Sequence, residues 1–86
     1  LFYTALVACA SAPVQEMSDA RQAIQSAEEA GAARYSSEQL RQAQHLLEQA
    51  QLQLETGAYG DARRLALDAR DEAIRAREKA NARTVP

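Results

Sequence analysis

The chain has 86 residues and carries ten Lys plus Arg against twelve Asp plus Glu, a formal net charge of −2. That length sets one small domain as the expectation, and the near-neutral balance leaves no basic footprint for nucleic acid. Twenty alanines, nine glutamines and nine arginines argue against a β-rich fold, five Gly plus Pro exclude collagen-like or low-complexity chains, and a single Cys rules out an internal disulfide framework or a thiolate zinc site.

Leu1 to Ala8 is apolar except for Thr4, and the chain opens on Leu rather than Met, so a missing start is expected. Such a run falls well short of the roughly 20 residues that span a bilayer as a helix. It fits the tail of a secretory h-region, usually about 7–15 residues. Its end, Leu6-Val7-Ala8-Cys9, resembles the lipobox of bacterial lipoproteins. The resemblance implies cleavage before Cys9 and attachment of a diacylglycerol to its sulfur. Several acyl chains on one residue anchor a protein stably, whereas one binds only marginally. Ala10 rather than Asp follows, which in that family points to the outer membrane. The alternative for Cys9 is a small apolar residue at a frayed terminus. Residues 1–8 are read as a signal remnant and 9–13 as the lipidated terminus and linker. A helical domain over 14–82 and a frayed tail over 83–86 complete the division.

Pro13 suits the first turn of a helix, and the apolar or small residues Val14, Met17, Ala20, Ile24 and Ala27 follow at helical spacing. This predicts a first helix over about 13–30, stopped near Gly31, then a connection through Tyr35. Ser36 with Gln39 reads as a capping box, and Tyr35 with Leu40 as a hydrophobic staple. The second helix presents Leu40, Ala43, Leu47, Ala50 and Leu54 inward and closes at Gly57. A third begins near Ala58 to Asp61 and runs to about Ala80, with Ala62, Ala66, Ala69, Ala73, Ala76 and Ala80 on one face. The short turn between the last two makes them antiparallel neighbours. The fold class is therefore all-α: an antiparallel helical hairpin plus an N-terminal helix, as a three-helix bundle.

Arg63, Arg70 and Arg77 recur every seven residues without an acidic residue three or four positions away. Pairing across the hairpin, Glu55 with Arg63 and Glu48 with Arg70, is the expected use of the stripe; an external acidic partner is the alternative. Leu52 points away from the inner stripe of its helix, and Leu67 and Ile74 lie to one side of the alanine face. Either the first helix covers part of this surface, or Leu52, Leu67 and Ile74 contact a partner or a second copy. An alanine-rich core offers little apolar area, so association is a natural route to stability.

The stretch around Leu46, Ala50, Gly57, Tyr59, Ala62, Ala66 and Ala69 resembles the helix–turn–helix of a tetratricopeptide repeat. One such unit fits, where solenoids usually need three or more. A longer match resembles small bacterial lipoproteins built on a helical domain of unknown function. It rests on Ala20 to Ile24, on Gly31, Ala32 and Tyr35, on Leu40 and Ala43, and on Gly57, Tyr59, Ala62 and Arg63. Some relatives carry an OmpA-like peptidoglycan-binding domain; this chain is expected to be of the stand-alone type.

His45 is the only histidine and reads as a surface residue rather than a metal ligand or general base. No metalloprotease motif, phosphate loop or Ser/His/Asp set can be built. No enzyme activity, cofactor or metal is expected. The expected role is a lipid-anchored, periplasm-facing structural or protein-interaction module of the cell envelope. A peptidoglycan-associated accessory protein and a tetratricopeptide-like peptide adaptor are the rival readings. The expected partners are the membrane, through the lipid, and a protein or second copy.

Overall fold

The structure, a computed structural model, describes residues 11–84. The expectations for Leu1 to Ala10, lipidation of Cys9 among them, and for Val85 and Pro86 lie outside the described residues. The described chain is all-helical, running α1 (Val14–Glu29), α2 (Ala32–Tyr35), α3 (Ser37–Glu55) and α4 (Tyr59–Thr84), with no strand among the described residues. Two differences from the sequence reading concern lengths. The connection after Gly31 forms one helical turn, α2, and α4 continues to Thr84 rather than fraying after Ala80. Ala80 is fully buried, so the last turn of α4 grows from a packed residue, and Arg83 there opposes the negative end of the helix.

Both turns depend on a glycine in the left-handed region. At the end of α3, Gly57 has φ 85°, its N–H donates to the Leu54 carbonyl, and the Ala58 N–H donates to the Gln53 carbonyl. That pair of bonds is the Schellman closure, which satisfies carbonyls the helix leaves open. Gly31 has φ 91° and ends α1 in a related way, its N–H donating to the Glu28 carbonyl. A Cβ at Gly31 would also lie 3.3 Å from the Tyr35 ring.

α4 is the central element, packing against both α1 and α3, which touch each other far less. Met17, near the start of α1, shares a cluster with Ala50, near the end of α3, and with Ala66, near the start of α4. Ile24 and Ala27 share another with Leu40 and Ala43 and with Ala73, Ala76 and Ala80. α1 and α4 therefore run the same way and α3 runs against both. All six alanines of the α4 face are 0% exposed. Their 4–3–4–3–4 spacing keeps one narrow seam in line along the helix. The bulk comes from the neighbours: Met17 and Ile24 on α1, Leu40 on α3, with Leu47 and Leu54 half-buried beside them. Large side chains on two helices thus fill the space that small ones on the third leave open.

Val14 departs from the predicted inner stripe of α1: it is 73% exposed, while Pro13 is fully buried. Counting back from Met17, the seam spacing calls for a step of four, which falls on Pro13 and not on Val14. Proline at the helix start can take that place because its missing N–H is one the helix would not use.

Candidate functional site

The described residues enclose no cavity. They also hold no group of three or more His, Cys, Asp or Glu that could bind a metal ion. What the structure offers is surface, and its most specific construction is the entry to α1. The Arg63 guanidinium on α4 donates to the Ser11 carbonyl at 3.3 Å and lies 3.5 Å from the Glu16 carboxylate on α1. With Pro13 buried beneath, residues 11 to 13 are held on the helical body rather than hanging from it.

The expected hairpin pairs Glu55–Arg63 and Glu48–Arg70 do not form. Arg63 is taken by Glu16 and Ser11, and Arg70 makes a two-nitrogen contact with one oxygen of its neighbour Asp71, at 3.1 and 2.8 Å. Symmetry about the turn matched the heights of these residues but not their sides. Arg63 turns toward α1 rather than α3. Of the Arg63–Arg70–Arg77 row, Arg77 is exposed.

Leu52, Leu67 and Ile74 are not brought together. Leu52 is 53% exposed on the outer face of α3. Leu67 and Ile74 are half-buried on α4, and none of the three belongs to either core cluster. His45 is exposed.

Ser36 plays a part that sequence reasoning missed. It stands at the N-cap of α3, but its hydroxyl makes no cap bond. It donates instead to the Ala76 carbonyl of α4 at 2.6 Å, and the residue is only 3% exposed. The capping box consequently does not form, and the Gln39 Oε1 atom is buried without a hydrogen-bond partner. The signal was present: Ser36 extends the Leu40–Ala43–Leu47–Ala50–Leu54 series by one further step of four, which places it in the seam.

Polar bridges tie the open side of the α1–α3 contact. Arg21 donates to Gln51 at 3.1 Å and Gln44 donates to Glu28 at 3.2 Å. On α4, Arg75 is held by Glu72 at 2.7 Å, a hydrogen bond that with the attendant charge attraction raises its pKa further above the ordinary arginine value. It is a cation at any physiological pH.

These features define a small all-helical module with a seam of alanines and a tethered N-terminal entry. The chain belongs to the DUF4398 family, a domain of unknown function, whose sequence model matches residues 15–85. No curated protein and no solved structure matches the chain.

Proposed function

We propose that this protein is a lipid-anchored, non-catalytic module of the bacterial cell envelope, facing the periplasm from the outer membrane and serving as a structural or protein-interaction element. The observation that carries the reading is the Leu6-Val7-Ala8-Cys9 run standing four residues ahead of Pro13. An acylation motif this close to a folded body is a tether with almost no slack. No described helix is long and apolar enough to cross a membrane. α1, α3 and α4 then act as an up–down–up three-helix bundle. The α3–α4 hairpin is of tetratricopeptide type, a reading supported by the buried Ala50, Ala62, Ala66 and Ala69 around a turn that Tyr59 half fills.

The experiment is replacement of Cys9 by Ala in cells, followed by fractionation and intact-mass measurement of the native protein. The expected result is a mass carrying the acyl groups and release of the Cys9→Ala variant from the membrane fraction. Unmodified sulfur on native material, or membrane association indifferent to the replacement, would remove the reading. Pull-down on purified sacculi addresses the peptidoglycan rival, which predicts retention of the Cys9→Ala variant there.

A further inference from the structure

We propose that the end of the molecule formed by the start of α1 and the α3–α4 turn is a lipid-contacting surface that rests on the headgroups of a zwitterionic bilayer. This inference builds on the anchoring reading above.

Three observations carry it. The first is reach. Pro13 stands four steps along the chain from Cys9, and an extended chain covers at most about 14 Å in that number of steps. The second is fixation. Pro13 is buried and the Ser11 carbonyl accepts from Arg63, so a tether at Cys9 holds the first turn of α1 close to the interface. Met17 packs on Ala50, with Leu54 beside it, which brings the end of α3 and the Gly57 turn to the same end.

The third observation is the distribution of apolar exposure. Val14 and Leu52 are the exposed large hydrophobics among the described residues. Val14 is the first residue of α1, and Leu52 lies in the last turn of α3. Both therefore belong to the tethered end. The opposite end, with α2 and the close of α4, exposes none. At about 1.5 Å per residue the 26 residues of α4 place it roughly 39 Å away.

Charge selects the kind of bilayer. Arg63 pairs with Glu16 and Arg64 with Asp61 at this end, which also carries Glu55, a balance with no positive excess. Attraction to anionic lipid needs clustered Lys or Arg. Contact is therefore apolar and headgroup-level, with side chains of two helix ends dipping into the interface.

The chain has one Cys and no Trp, which makes the test clean. The chain beginning at Cys9, as the anchoring reading has it after cleavage, is coupled through that residue's sulfur to a maleimide phospholipid in phosphatidylcholine vesicles containing brominated acyl chains. Tryptophan is introduced singly as Leu52→Trp, Ala33→Trp or Ala82→Trp, all at exposed positions. Bromine quenching and a blue shift severalfold greater for Leu52→Trp than for the other two are expected, with little change on adding phosphatidylglycerol. Equal quenching at all three positions, quenching at none, or stronger quenching for Ala33→Trp or Ala82→Trp would overturn the proposal. Because the tether is imposed chemically, this outcome is separate from whether cells acylate Cys9, which the intact mass decides.

Discussion

The Ser36 hydroxyl donates to the Ala76 carbonyl across the seam between α3 and α4, at 2.6 Å. The bond joins the N-cap of one helix to the second half of another and leaves that cap without its own side-chain bond. It fixes where α3 begins along α4. Net contributions of such bonds are about 0.5–1.5 kcal/mol, and an orphaned group adds to the loss. Ser36→Ala is expected to lower the unfolding free energy by about 1 kcal/mol in urea titrations. Ser36→Asp separates the two roles of the site. Asp is as good an N-cap as Ser, so a capping role predicts no loss. An interhelical role predicts a loss larger than that of Ala, because a buried carboxylate would face a carbonyl oxygen with no proton to donate.

The seam itself makes a sharper demand. Ala69 is 0% exposed within the six-alanine face of α4, against which α1 and α3 pack. Inserting methylenes into a packed interior typically costs about 1–3 kcal/mol. Ala69→Leu is expected to lose stability in that range or above it, measured by the shift in urea midpoint, while Ala82→Leu on the exposed end of α4 stays near the parent value. Equal effects at the two positions would show that the seam is not the tight contact described.

Much of this was open to reading in the sequence, for one physical reason. Alanines kept at 4–3–4 spacing over six positions hold one line along a helix, so Ala62 to Ala80 mark the face of a close helix contact. The partners of the arginines were not legible. A seven-residue repeat fixes height along α4 but not which neighbour occupies which flank, and Arg63 turned to Glu16 on α1 rather than Glu55 on α3. Val14 was misplaced for a related reason: an apolar residue one step from the seam looks the same as one inside it, and the buried place belonged to Pro13. The surface candidates were legible only singly. Leu52 is off-stripe by inspection, but its nearness to the start of α1 follows from the direction of α3, which the turn at Gly57 sets.

The Arg63–Glu16 pair offers a measurable version of that outcome. Both side chains are partly exposed, at 40% and 28%, so the pair is screened by solvent. A double-mutant cycle with Arg63→Gln and Glu16→Gln is expected to give a coupling of about 0.2–1 kcal/mol that shrinks in high salt. The corresponding cycle between Arg63 and Glu55 is expected to give no coupling. Coupling in the second cycle and none in the first would restore the cross-hairpin arrangement.

The two turn glycines should respond differently to a methyl group. Both have positive φ, which costs an L-residue roughly 1–2 kcal/mol. At Gly57 nothing lies within 4 Å of the added Cβ, so backbone strain is the whole effect, and Gly57→Asn, which tolerates the left-handed region, should recover part of it. At Gly31 the Tyr35 ring lies 3.3 Å away, close enough that the ring must shift as well. Gly31→Ala is therefore expected to destabilise more than Gly57→Ala in parallel thermal melts, and a Tyr35→Ala background should narrow the difference. A difference that persists without the ring would place the extra cost elsewhere than in the contact.

Gln39 points to a stabilising change. Its Oε1 atom is buried with no partner, because the Ser36 backbone N–H that a capping box would offer it donates to the Ala32 carbonyl at 2.9 Å instead. A buried polar atom left unpaired costs about 1–3 kcal/mol, and replacing it by an apolar group of similar shape removes that cost. Methionine matches glutamine in length and, being unbranched, adapts to irregular spaces. Gln39→Met is therefore expected to raise the urea midpoint, whereas Gln39→Glu, which adds a charge at the same place, should lower it. A Gln39→Met variant less stable than the parent would mean that the amide is paired in solution.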